Sequence, residues 1–171
     1  MRKILIFRYL FLALSVAIMV YIFSMSCQTA AVSNQSSGKV IRTIAKIIIE
    51  DFESKPIEYQ INFISSLQFF VRKSAHFLIY FMLGVSFCGF ALTFDKMTVL
   101  FKSFLSFGFS VLYAVGDEIH QLFVSGRSGQ ISDVILDACG IICGVLFINL
   151  AFFVARKLYC RFSVRGKASE Q

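Results

Sequence analysis

Tryptophan is absent from the sequence, and proline occurs once, at Pro56. Charge is sparse, with Asp, Glu, Lys and Arg making up 16% of the residues. The five cysteines (Cys27, Cys88, Cys139, Cys143 and Cys160) contain no Cys-x-x-Cys pair, are odd in number and lie mostly in apolar runs. This argues against a disulfide framework and against a zinc site. Cys139 and Cys143 share a helix face, where small residues packing on a neighbour need no metal. There is no internal repeat, no RNA-binding motif and no interleaved aromatic–basic stripe. The formal net charge of +7 therefore does not point to nucleic acid. It fits basic cytoplasmic flanks and contact with anionic lipid.

Hydrophobic residues make up 57% of the chain, 21 of them are Phe, and the mean hydropathy is +0.75. Apolar runs of about 18 residues or more read as membrane spans. The length of 171 residues suits one bundle of a few spans rather than two domains. The expected fold is an all-α integral membrane four-helix bundle, with an amphipathic segment between the first and second spans.

The first span is placed at 4–26, interrupted only by Arg8. Its apolar core exceeds the roughly 7–15 residues of a signal peptide, so an uncleaved span is expected. Ser24 stands three before Cys27, where a lipoprotein signal would have Leu. Residues 28–38 are small and polar and read as a loop. Val40, Ile44, Ile48 and Phe52 then recur every four residues, with Ile41, Ala45 and Ile49 beside them and Lys39, Arg42, Lys46, Glu50 and Glu53 on the other side. That is a helical period, too charged to span, and it suits a helix in the membrane interface or capping the bundle. Pro56 ends it. A weaker amphipathic stretch carries Ile61, Ile64 and Leu67, giving an outer amphipathic segment over 37–70.

The remaining spans are placed at 73–94, 100–123 and 133–155, followed by a basic tail at 156–171. The fourth carries Gly140-x-x-x-Gly144, a spacing that lets helices approach closely. The amino end, the connection at 95–102 and the tail are short and basic, which puts both termini in the cytoplasm. The 27–72 segment also holds basic residues and weakens that rule somewhat.

With this topology the unusual polar residues gather at one depth, the outer leaflet. Lys73, His76 and Tyr80 share a face at the head of the second span. Asp117, Glu118 and Gln121 end the third, Arg127 sits in the turn, and Asp133 and Asp137 open the fourth. Ionisable groups in hydrocarbon cost about 2.5–3.5 kcal/mol each on insertion scales, so a cluster of them marks a site.

Lys73-x-x-His76, Asp117-Glu118-x-x-Gln121, Gly126-Arg127 and Asp133 before a Gly-x-x-x-Gly helix together resemble the VanZ-like family, small membrane proteins named for a teicoplanin-resistance accessory protein of Gram-positive bacteria. The resemblance runs from about Ile4 to Ala155. It implies a multi-pass protein of a bacterial plasma membrane and a possible link to glycopeptide resistance, but no known reaction. Asp137 stands where the family often has Asn, so no fixed role is carried over to it.

Read from their chemistry, Lys73 and Arg127 suit a phosphate or carboxylate. His76 suits proton transfer near neutral pH, and Asp117 and Glu118 suit a base or a cation. The expected ligand-binding set is Lys73, His76, Asp117, Glu118, Gln121, Arg127 and Asp133. His76, Asp117 and Glu118 are the candidates for catalysis, if there is any. The expected partner is a membrane lipid or lipid-linked cell-wall precursor, with no metal, cofactor or nucleic acid. The competing reading is a non-catalytic accessory or scaffold protein, in which Lys73 and Arg127 neutralise Asp117, Glu118 and Asp133. A transporter ranks last, because the inner halves of the spans read as apolar and no repeat is present. His120 points away from Glu118 and reads as an interfacial histidine. The donors His76, Asp117, Glu118 and Asp133 match no standard zinc spacing, and Gly-Arg-Ser-Gly is not a nucleophile elbow.

Overall fold

The computed structural model describes the backbone of residues 2–168 and the side chains of residues 4–159. Its helices are α1 (Arg2–Ser26), α2 (Ala30–Ile48), α3 (Ile57–Leu92), α4 (Val99–Gln121) and α5 (Ile131–Ala168). A short 3-10 turn, Phe52–Ser54, is the one further element among the described residues. Four helical segments are long and apolar enough to cross a membrane: Ile4–Ser26, Ile57–Leu92, Val99–Gln121 and Ile131–Tyr159. The protein is an all-α, multi-pass membrane bundle.

The tightest seam joins α3 to α5. A Cβ added at Gly140 would sit 2.5 Å from the Phe77 carbonyl oxygen, and one at Gly144 would strike that of Phe81. From the other side, Gly84 would meet the Ile141 carbonyl at 2.6 Å. Missing side chains on both helices let the two backbones touch, which is how helices associate where burial from water supplies no drive. Around this seam lie Tyr80, Leu83, Cys88, Ala114, Ile141 and Val145, with Ile18 and Ile22 of α1 closing the core.

Arg8, the lone charge in the first apolar run, turns out to cap another helix. Its Nε donates to Thr93 Oγ1 at 3.1 Å and its Nη2 to the Thr93 carbonyl at 2.9 Å, while the guanidinium lies 4.0 Å from the centre of the Phe94 ring. A cation at the C-terminus of α3 also meets the negative end of the helix dipole. The half of the bundle away from the polar cluster is not purely apolar, contrary to the sequence reading. Lys102, Ser106 and Ser110 are buried on α4, and Asn149 donates to Ser103 Oγ at 2.9 Å and to the Val145 carbonyl at 2.8 Å. Serines at three- and four-residue spacing keep one face of α4 narrow, and their hydroxyls can bond back to the helix, as Ser106 does to Lys102.

Between α1 and the second span the structure departs from the sequence reading. Residues 30–38 are helical rather than a loop, because their small side chains face α3. Gly38 packs on Ile64, Gln68 donates to the Asn34 carbonyl and to Ser37 Oγ, and Arg42 donates to Gln60 Oε1 at 2.8 Å. The pairings run antiparallel, so α2 and the first part of α3 form a helical hairpin. Its tip turns through Asp51, which has a φ of 54°, then Phe52 and Pro56. Packing buries one edge of the expected apolar side and leaves the other open. Ile41, Ala45 and Phe52 are buried, whereas Val40, Ile44 and Ile48 are exposed. Near the tip, Glu53 pairs with Lys46 at 2.6 Å and Arg42 at 3.8 Å, and the Lys46 hydrogen bond and charge hold its carboxyl below the usual range.

Pro56 is the break that the sequence reading places there, and it sits at the N-cap of α3, as its fixed φ allows at a helix N-terminus. The difference is that no further break follows before Leu92. The second amphipathic stretch and the second span are therefore one helix of 36 residues. At about 1.5 Å per residue it measures about 54 Å, well beyond the roughly 30 Å of hydrocarbon, so part of it stands clear of the bilayer core. At the other end of the chain, the segment read as a basic tail continues α5 to Ala168. The side chain of Cys160 lies outside the described residues, and Cys27, Cys88, Cys139 and Cys143 are free thiols.

The glycine seam makes a testable prediction. Gly144→Val drives a side chain into the α3 backbone and is expected to cost about 1–3 kcal/mol, the range for overpacking. Gly108→Val, where an added Cβ meets nothing within 4 Å, serves as the control and should be near neutral. Unfolding in mixed micelles measures both, and equal effects would remove the seam as the main helix contact.

Candidate functional site

The glycine seam fixes the register of α3 against α5, and that register brings polar side chains face to face at one end of the bundle. Lys73 Nζ pairs with Asp133 Oδ1. One turn deeper, His76 Nδ1 lies 3.7 Å from Asp137 Oδ1. That distance is too long for a hydrogen bond, and both atoms are buried without another partner. One turn further, the Tyr80 hydroxyl donates to Asp117 Oδ2 of α4 at 3.2 Å. The face shared by Lys73, His76 and Tyr80 thus meets a carboxylate at each step.

Asp117 and Gln121 share a face of α4, as their spacing predicts, and Gln121 Nε2 donates to Asp117 Oδ2 at 3.0 Å. Asp117 is only 8% exposed, and both its donors are neutral groups. Glu118 accepts the backbone N–H of Gln130 at 2.6 Å, which ties the end of α4 to the start of α5. Gly129 lets this turn close, since a Cβ there would collide with Leu122. Gly126, at a φ of 75°, supplies the left-handed residue that the turn requires.

Arg127 follows Gly126 and reaches across to α1. Nε donates to the Gln28 carbonyl at 2.9 Å, Nη2 to the Met25 carbonyl at 3.0 Å and Nη1 to Gln121 Oε1 at 2.8 Å. The turn thereby supplies donors to carbonyls at and just beyond the C-terminus of α1. The expected neutralisation of carboxylates by Arg127 is not found, because its partners are uncharged oxygens. Burial lowers its pKa, as does the like charge of Arg72, while Asp117 and Glu118 act the other way. The guanidinium nonetheless stays protonated.

Two cavities open at this end. The larger, about 480 Å³, lies between α1, α2 and α3 and carries Arg72, His76, Tyr80, Asp117, Gln121 and Arg127 at its polar end. The smaller, about 240 Å³, is lined by Asn34, Lys73, Ser128, Gln130 and Asp133 among others. Arg72, His76, Gln121 and Arg127 line both.

Of the sequence-derived set, Lys73, His76, Asp117, Gln121, Arg127 and Asp133 line a cavity, and Glu118 instead anchors the turn behind them. Asp137, given no role from the sequence, is 1% exposed and faces His76. Its four-residue spacing from Asp133 is the signal that places it on the same face. Arg72 reads in sequence as a span flank, and Asn34 as part of a loop. Only the α2–α3 pairing brings them together, through a 3.2 Å bond from Arg72 Nη1 to Asn34 Oδ1. His120 lies outside both cavities, against Phe23 at 5.1 Å between ring centres and 3.5 Å from Cys27 Sγ. Among the described residues, no group of His, Cys, Asp and Glu side chains is arranged to hold a metal ion.

Gln121 bridges Asp117 and Arg127, so their substitutions are expected to couple. Asp117→Asn and Arg127→Gln together should cost less stability than their sum, by roughly 0.5–1 kcal/mol in a double-mutant cycle. Strict additivity would mean that the bridge carries no energy.

No curated protein and no solved structure matches the chain. The VanZ/LLP1 family matches residues 11–153, a stretch that takes in the second and third spans whole, most of the first and fourth, the hairpin and every residue of the polar cluster. With the motifs and the multi-pass helical fold in agreement, the chain belongs to the VanZ/LLP1 family.

Proposed function

We propose that the polar end of the bundle binds, and in doing so handles, the head group of a membrane lipid or lipid-linked cell-wall precursor. The observation that carries this reading is the junction of the two cavities. At Arg72, His76, Gln121 and Arg127 a polar chamber meets one with an apolar flank, the two-part shape that an amphiphile needs. The short basic amino end and α3–α4 connection support cytoplasmic termini. The site then faces the outer leaflet of a bacterial plasma membrane, where lipid-linked precursors are displayed. Reduced susceptibility to glycopeptides such as teicoplanin is a phenotype consistent with such a role. The scaffold reading draws support from the bonds of Arg127, Gln121 and Glu118, which fasten helices together. It gives no account of why His76 faces both cavities with its Nδ1 unbonded.

Two experiments test this reading. In a Cys27→Ser background, which removes the exposed native thiol at this end, Ser128→Cys should react with an impermeant thiol reagent on whole cells and Lys96→Cys should not. The reverse pattern would turn the site to the cytoplasm. His76→Ala would strip the neighbour from the buried Asp137 carboxylate. The test therefore uses His76→Asn, which keeps a polar group there and should leave the purified variant folded. Native mass spectrometry should show that it has lost lipid which co-purifies with the wild type. An unchanged lipid profile would favour the scaffold.

A further inference from the structure

Two guanidiniums at the cavity junction, both partly buried, have no carboxylate within ion-pair distance. Among the described residues, the ion pairs within 4.0 Å join Lys73 to Asp133 and Glu53 to Arg42 and Lys46, and His76 adds one with Asp137 only when protonated. Neither Arg72 nor Arg127 belongs to one. Arg72 makes a single side-chain bond, to the amide oxygen of Asn34. Arg127 directs three donors at neutral oxygens. A guanidinium carries five N–H donors, so both keep donors to spare. The two come from separate segments, α3 and the α4–α5 turn, and line the same two cavities. Like charges lining one partly buried cavity repel each other, and an anion placed between them relieves that repulsion.

The walls state what accompanies the anion. Beyond the guanidiniums the larger cavity is lined by Tyr21, Ile22, Met25, Leu78, Ile79 and Met82. Tyr21, Leu78 and Met82 are 55%, 58% and 48% exposed, so this wall opens sideways between α1 and α3 onto the surface that faces lipid. The smaller cavity offers the side chains of Asn34, Ser128 and Gln130, suited to hydroxyl groups.

We propose that the site takes a lipid whose head group carries a phosphate, with the phosphate between Arg72 and Arg127, one hydrocarbon chain in the α1–α3 cleft and the rest of the head group in the smaller cavity. The oxygens of a phosphate are disposed tetrahedrally and can meet two forks that arrive from separate segments, whereas those of a carboxylate lie in one plane. This assignment rests on the head-group reading above and narrows it to a chemical class.

The test uses the full chain in a neutral detergent, with native mass spectrometry or calorimetry and four probes. These are phosphatidylglycerol, a neutral glycosyl diacylglycerol with the same chains, diacylglycerol, and water-soluble glycerophosphate. Phosphatidylglycerol is expected to bind at least about tenfold tighter than the other three, the worth of one charge-assisted contact. Arg72→Gln, which disturbs one bond to Asn34, should erase that preference while the protein remains folded, and Arg72→Lys should restore part of it. If the glycolipid binds as tightly as phosphatidylglycerol, or Arg72→Gln leaves the preference intact, the phosphate assignment is overturned and the head-group reading survives. Glycerophosphate binding as tightly as the lipid would overturn the placement of the chain. If none of the four binds, the head-group reading fails as well.

Discussion

The bare backbone contact between α3 and α5 is the constraint on which the rest of the molecule depends. Gly84, Gly140 and Gly144 remove the side chains that would hold the two helices apart. Once the backbones touch, neither helix can slide or rotate without a clash, and the register of every pair along the seam is set. Lys73 then falls opposite Asp133, and His76 opposite Asp137. A seam of larger residues could have settled in several registers. The polar cluster inherits its order from a feature that contains no polar side chain.

That order is uneven in kind. Lys73 and Asp133 compensate each other at the rim, and Asp117 is satisfied by a phenol and an amide. Glu118 and Arg127 act as fasteners between segments, one holding the start of α5 and the other the end of α1. His76 and Asp137 are different, since they face each other across a gap with polar atoms unbonded. Buried polar groups are rarely left so, and those that are tend to sit where something else binds. Fastened and unbonded polar groups thus alternate among neighbours only a turn apart.

Much of this was legible in the sequence. Long apolar runs gave the spans, because nothing but a helix satisfies the backbone in hydrocarbon. Three- and four-residue spacings gave the faces carrying Lys73, His76 and Tyr80, and Asp117 and Gln121. The hairpin was not legible, for two reasons. Residues 30–38 have the composition of a loop, and only their fit against Ile64 and Gln68 makes them helical. Pro56, taken as the end of one element, is equally at home at the start of the next, and the sequence does not say which. Arg72 and Asn34 went unseen as a pair for the same reason, since a contact between two segments has no local signature. Arg8 and Lys102 carry the same lesson: one caps a distant helix end and the other is buried, and neither fate is written in its neighbours.

The unbroken course of α3 has a mechanical consequence. Its first part is half of the hairpin, and its later part carries Arg72, His76 and Tyr80 along the cavities. A continuous α-helix has no joint between those parts. Hairpin and cavity wall therefore share one rigid-body coordinate, and a force that tilts the hairpin is delivered, as by a lever, to the side chains in the bundle. The reverse also holds: any change in the width of the α1–α3 cleft must appear, enlarged by the length of the arm, at the Pro56 tip.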